Sequence, residues 1–195
     1  DHIFISHIHP DHTADLIPFL FATKYPRSAK RKKPLHIWAK TGFKQFFSAL
    51  EQAYNGWILP DDLHINEIEE GTLRFDDFTI TAKKMAHIES SLAYRIEAEG
   101  KSLVYSGDTD YTESLSGLAK DADALIIECS LPDDLKSKSH LTPAEVVRIA
   151  KESRARKVIL THLYPVCDER DVAGDIRKKL DVEVIVAEDL SELEI

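Results

Sequence analysis

Ser6-His7-Ile8-His9-Pro10-Asp11-His12 is the stretch on which the reading of this chain turns. The apolar run before it, residues 3–6, has strand character. An extended chain sends alternate side chains to one side, so His7 and His9 face a common spot. Pro10 cannot continue a strand ladder, and Asp11 and His12 then open a helix predicted over 11–23. Four metal-type donors thus fall within six positions. Imidazole suits Zn, Fe, Ni or Cu, and a carboxylate adds a harder oxygen donor. Four ligands from one loop exceed what a single catalytic zinc with an open position requires, so the stretch has room for two metals.

Working outward, short β-branched runs alternate with helix-like segments. Strands are predicted over 3–6, 35–39, 63–68, 78–82, 92–97, 102–105, 124–128, 157–161 and 182–187. Helices are predicted over 11–23, 42–54, 143–152 and 172–180. In the first helix Leu16, Phe19, Leu20 and Thr23 share a face; in the second Phe43, Phe46, Phe47 and Leu50 do. The strands over 78–105 read as consecutive and antiparallel, the last two joined at Glu99-Gly100. Elsewhere helices separate the strands, which gives a mixed α/β (α+β) class.

Three further metal-type residues lie at predicted strand ends. His87 follows the run that ends in Met85-Ala86. Asp108 follows Leu103-Val104-Tyr105-Ser106-Gly107. His162 follows Lys157-Val158-Ile159-Leu160-Thr161. Open α/β sheets place their sites at such ends. A carboxylate has two oxygens and can bridge metals about 3.5–4 Å apart, and Asp108 is the candidate bridge, with Thr109 as a hydrogen-bonding neighbour. Thr142-Pro143-Ala144-Glu145 has the pattern of a capped helix start. His140 therefore stands in a loop just ahead of a helix N-terminus, a position that favours anions.

Composition narrows the function classes. With 195 residues the chain is long enough for one well-buried domain. No stretch approaches the roughly 20 apolar residues of a membrane helix, and the opening residues lack a basic signal-peptide region. A net charge of −9 argues against broad charge-driven binding to nucleic acid. The two cysteines, Cys129 and Cys167, form no CxxC motif and no disulfide framework, which points to a reducing, cytoplasmic setting.

HxHxDH, a later lone histidine, Gly107-Asp108-Thr109 and Thr161-His162 together resemble the metallo-β-lactamase superfamily, over nearly the whole chain. Ile126-Ile127-Glu128-Cys129-Ser130 and Ser139-His140-Leu141-Thr142 resemble segments of its ribonuclease Z-like branch. The resemblance implies a four-layer αβ/βα sandwich, residues 1–195 forming a single domain. It also implies a binuclear hydrolase with two divalent ions, zinc first, with manganese or iron as alternatives. His7, His9 and His87 would hold one metal. Asp11, His12 and His162 would hold the other, with Asp108 between them. A metal-bridging hydroxide would be the nucleophile, Asp11 would orient it or take its proton, His140 would steady charge or protonate the leaving oxygen, and Glu128 would orient His140. A homodimer is the assembly the family implies.

The chain departs from that pattern twice. The strands and glycine-rich turn that usually precede HxHxDH are absent, so the domain reads as N-terminally incomplete. Only 20 residues separate His87 from Asp108, which leaves no space for the long tRNA-binding arm. The expected substrate is a small phosphodiester or an RNA-like molecule, with a thioester, lactone or other ester as the alternative. A non-catalytic metal-binding domain is the reading from another class. The run Lys24, Arg27, Lys30, Arg31, Lys32 and Lys33 is either a phosphate contact or a solvated loop.

Overall fold

The computed structural model describes residues 1–28 and 30–195; Ala29, inside the basic run, lies outside the described residues. The chain divides into two compact units, Asp1–Glu69 and Glu70–Ile195.

In the first unit β1 (His2–Phe4), β2 (Leu35–Lys40) and β3 (Leu63–Ile68) form a parallel sheet in that order. Alternation decides its faces. Leu35, Ile37 and Ala39 are buried and join Leu16, Leu20, Phe43, Phe47 and Ile58 in one core. The opposite face carries His2, His36 and His64, which stand in register and stack with ring centroids 5.1 and 4.7 Å apart. Sequence reading gave these three histidines no role; cross-strand pairing explains their company.

The helix predicted over 11–23 is two helices, α1 (Pro10–Thr13) and α2 (Leu16–Lys24). Pro18 is the physical reason. It has no N–H to offer the Ala14 carbonyl four residues back. That carbonyl instead accepts from Ile17 N–H at 3.2 Å, a tighter turn than the α-helix makes. The shift also changes the buried face: Leu16 and Leu20 are covered, but Phe19 is 42% exposed, contrary to the sequence expectation. α3 (Phe43–Ala53) follows β2 and buries Phe43 and Phe47, with Phe46 and Leu50 packed at the margin.

The second unit is a seven-stranded sheet in the order β10-β9-β8-β7-β6-β5-β4. Its strands are β4 (Gly71–Arg74), β5 (Thr79–Lys84), β6 (Leu92–Ala98), β7 (Lys101–Tyr105), β8 (Ala124–Glu128), β9 (Lys157–Thr161) and β10 (Glu183–Val186). β4 to β7 are antiparallel neighbours and β7 to β10 parallel ones. The β6–β7 hairpin turns at Glu99 and Gly100, with φ 51° and 76°. Two left-handed residues give the turn the twist that matches the strands.

Three helices cover this sheet: α4 (Glu113–Leu118), α5 (Pro143–Ser153) and α6 (Val172–Arg177). Leu115, Val146, Ile149 and Ile176 reach 0% exposure in a shared core with Leu125, Ile127, Val158 and Leu160. Burying each such side chain stabilises by about 1.5–3 kcal/mol. α5 starts where the sequence places it. The Glu145 carboxylate reaches back to the Thr142 N–H at 3.0 Å, the reciprocal bond of a capping box. Two elements escaped the sequence reading. β4 is a four-residue edge strand, and α4 holds Ser114, Ser116 and Gly117, all weak helix formers.

Sheet direction positions the chemistry. β5, β7, β8 and β9 all run the same way, because β5 and β7 are each antiparallel to β6. Their C-terminal ends therefore share one edge. His87, Asp108, Glu128 and His162 are carried at or just beyond those ends.

Gly100 meets nothing within 4 Å where a Cβ would stand, so its substitution is opposed by conformation alone. Gly100→Ala is expected to lower the unfolding free energy by about 1 kcal/mol, and Gly100→Asn by less. Urea denaturation of the three proteins checks this.

Candidate metal centre

Each unit presents its own cluster of donors. In the first, β1 hands the chain to Ser6 and His7, and α1 begins one residue after His9. His7 is 1% exposed. Its Nε2 lies 3.1 Å from His9 Nδ1, and its ring centroid lies 4.0 Å from that of His12. Asp11 Oδ2 is 3.3 Å from His12 Nε2. The Ser6 hydroxyl stands 3.2 Å from His7 Nδ1 and 3.5 Å from His12 Nδ1. It thus occupies the rear nitrogen of both rings and turns both Nε2 atoms the other way.

In the second unit Asp108 is 3% exposed. Gly107, at φ 55°, lets the chain turn as it leaves β7. Asp108 Oδ2 lies 3.9 Å from His87 Nε2 and 3.4 Å from His162 Nε2. Both histidines are held from behind. His87 Nδ1 donates to the Ser139 carbonyl at 2.9 Å, an acceptor that can only accept. His162 Nδ1 meets Ser130 Oγ at 2.9 Å. His162 also takes φ 55°, a left-handed backbone that non-glycine residues seldom adopt and that tends to be kept at functional sites.

These donors fit divalent metals. Metal-bound histidines usually give their second ring nitrogen to a carbonyl, carboxylate or similar partner, which fixes the tautomer and aims the lone pair. His7, His12, His87 and His162 all show that arrangement. The remaining donors are carboxylates, as a mixed nitrogen and oxygen site needs.

Behind the metal-type residues lies Glu128, fully buried. Its Oε1 accepts from Thr109 N–H at 2.6 Å, and its Oε2 accepts from Ser130 Oγ at 2.6 Å and Leu141 N–H at 3.1 Å. His140 Nδ1 is 3.2 Å from Oε1 and 3.3 Å from Oε2. The hydrogen bond to Glu128 holds the His140 imidazolium above its ordinary range, against the pull of burial. The His140 ring lies 4.9 Å from that of His87 and 5.6 Å from that of His162. Tyr164 closes one side, 5.7 Å from His140 and 5.5 Å from His162.

Residues 1–163 match the model of the β-lactamase superfamily domain. This chain is a metallo-β-lactamase superfamily protein. It is 29% identical to ribonuclease Z of Methanosarcina acetivorans over 99% of its own length and 80% of that protein's. It is 33% identical to the probable metallo-hydrolase YhfI of Bacillus subtilis, over 84% of this chain and 66% of the relative. The crystal structure of YhfI superposes with a TM-score of 0.80, covering 96% of this chain and 74% of that one, at 29% identity. Zinc-bound PqqB from Methylobacterium extorquens shares the fold alone, with a TM-score of 0.77 at 16% identity, over 100% of this chain and 73% of that one. Superfamily and relatives make this a metal-dependent hydrolase related to ribonuclease Z.

Several participants carried no sequence signal. Ser6, Ser130 and the Ser139 carbonyl are ordinary loop groups until the fold places them. Lys136 was equally silent. Its ammonium donates to Asp110 Oδ1 at 2.6 Å, the His140 carbonyl at 2.6 Å and Glu145 Oε2 at 2.7 Å, tying the His140 loop to the start of α5. Thr109 gives its backbone N–H to Glu128 and its hydroxyl to the Asp110 carbonyl. Cys129 and Cys167 are free and buried, and burial pushes both thiols up, away from reactivity.

Removing Glu128 leaves the buried Thr109 and Leu141 N–H groups without their acceptor. Glu128→Ala should cost about 3 kcal/mol of stability, whereas an exposed-surface change such as Glu97→Ala should stay within about 0.5 kcal/mol. Chemical denaturation distinguishes the two.

Proposed function

We propose that the two donor clusters close on a pair of divalent metal ions and that the chain, working as one domain, is a phosphodiesterase. His7, His9 and His87 would hold one ion, Asp11, His12 and His162 the other, with Asp108 shared. Zinc is the first choice, the ion that PqqB carries in its crystal structure; manganese or iron suits the same donors. When bound, two such ions would lower the pKa of a water and offset charge on the attacked group. Asp11, with its side chain 61% exposed, would orient the attacking water or take its proton.

The observation that carries the reading toward phosphorus is the setting of His140. Glu128 anchors its Nδ1, its ring stands beside both His87 and His162, and α5 begins three residues later. A helix N-terminus favours an anionic oxygen. His140 Nε2 would donate to a phosphoryl oxygen or to the leaving oxygen, as general acid.

The substrate we favour is a small phosphodiester or a short RNA. The His87–Asp108 interval is occupied by the β6–β7 hairpin, and the net charge is −9; both weigh against tRNA maturation. Among the described residues no helix is long and apolar enough to cross a membrane. Two buried free thiols suit a reducing cytoplasm, and the family resemblance favours a homodimer.

The test is metal-dependent hydrolysis of a chromogenic phosphodiester beside a thioester. Phosphodiester turnover should appear with zinc or manganese and vanish with chelator. His140→Ala should keep its metal content yet lose about 10²–10⁴-fold in kcat. Thioester turnover alone would replace this reading with that of a carbonyl hydrolase, and no turnover of either would favour a metal-binding scaffold.

A second expectation concerns the basic run. Arg31 is already paired with Asp1, while Lys32 and Lys33 are exposed. If the run meets phosphates, replacing Arg31, Lys32 and Lys33 by Ala raises KM for an oligoribonucleotide and leaves KM for a small diester unchanged. Equal KM values for the oligonucleotide would make the run a solvated loop.

A further inference from the structure

Ser130 is fully buried, and neither the metal set nor the proton donor uses it. Its Oγ lies 2.6 Å from Glu128 Oε2, 2.9 Å from His162 Nδ1 and 3.3 Å from His140 Nδ1. A hydroxyl has one proton to give and two lone pairs to receive with. Where that proton goes decides what His162 can do.

Glu128 settles the direction. Backbone N–H groups can only donate, and one points at each of its oxygens: Thr109 N–H at Oε1 and Leu141 N–H at Oε2. Both oxygens are therefore acceptors, and Ser130 gives its proton to Oε2. Its lone pairs then face His162 Nδ1, which must itself carry a hydrogen to make the 2.9 Å contact. In the neutral ring the lone pair is left on Nε2, the nitrogen 3.4 Å from Asp108 Oδ2. Free neutral histidine in water prefers the opposite tautomer, with the hydrogen on Nε2, so the hydroxyl works against an intrinsic preference.

We infer that Ser130 is a positioning residue: it locks His162 into the Nδ1–H tautomer with Nε2 toward the metal, and takes its own direction from Glu128. One buried carboxylate thereby sets His140 directly and His162 through Ser130. The inference rests on His162 being a metal ligand, as proposed above, but the tautomer is measurable without metal or substrate.

The experiment uses the full chain with 15N-labelled histidine, as wild type, Ser130→Ala and Ser130→Thr. Long-range 1H–15N ring correlations of the metal-free proteins, at a pH where the ring is neutral, report the His162 tautomer. Competition with a chromophoric chelator reports zinc affinity. Wild type should show His162 as Nδ1–H. Ser130→Ala should shift it toward Nε2–H and weaken zinc binding about 10–100-fold, the usual effect of losing the partner of a metal-bound histidine. Ser130→Thr keeps the hydroxyl and should restore the tautomer and most of the affinity. An Nε2–H ring in wild type, or a tautomer unchanged in Ser130→Ala, overturns the inference. So does an equal loss of affinity in the Ala and Thr variants, which would mean a packing defect. Wild type that binds no zinc but keeps the Nδ1–H ring would instead overturn the metal reading and leave the Ser130 lock standing.

Discussion

A carboxylate with no solvent exposure must find hydrogen-bond donors within the protein, and Glu128 finds four of them in three segments. Thr109 N–H comes from the loop after β7, Ser130 from the chain just past β8, Leu141 N–H and His140 from the loop before α5. An uncompensated charge at that depth would cost several kcal/mol, so these segments cannot separate without a large loss. Asp108 precedes Thr109 by one residue, and His162 is bonded to Ser130. Holding Glu128 satisfied therefore also fixes the metal-type groups around it.

The sheet makes that convergence possible. With β5, β7, β8 and β9 all pointing one way, four strand ends meet at one edge with no long connection required. The core beneath, which includes Leu115, Val146, Ile149 and Ile176, is closed to solvent and supports that edge. Polar groups gather where the strands stop because backbone pairing ends there and side chains and loops take over. Lys136 adds a tether, joining Asp110, the His140 carbonyl and Glu145. The first unit solves the same problem locally: Ser6 backs two rings within one seven-residue stretch.

Much of this was legible before the structure. His7, His9, Asp11 and His12 could be read together because a strand exit and a helix start fix their directions over a few residues. His87, Asp108 and His162 were legible as strand ends, since each follows a strand-like run. Glu128 could be singled out only through the family resemblance, as the group that would orient His140; its burial and its four bonds come from tertiary packing. Serine hydroxyls and carbonyl groups are too common to stand out, so Ser6, Ser130 and Ser139 stayed hidden. Local pattern also misled at one helix: 3.6-residue spacing ran through Leu16, Phe19, Leu20 and Thr23, but Pro18 starves the Ala14 carbonyl and splits the segment. β4 and α4 were missed because a four-residue edge strand and a helix rich in serine and glycine carry little periodic signal.

The proposed hydrolysis depends on two metal ions sharing Asp108. The most direct measurement is metal stoichiometry of the full chain by elemental analysis, joined to X-ray absorption of the zinc-loaded protein. Two equivalents per chain, with a metal–metal vector of about 3.5–4 Å and histidine-type scattering around both ions, is the predicted result. A single equivalent with no metal–metal vector, or an Asp108→Ala variant that still binds two, would contradict it.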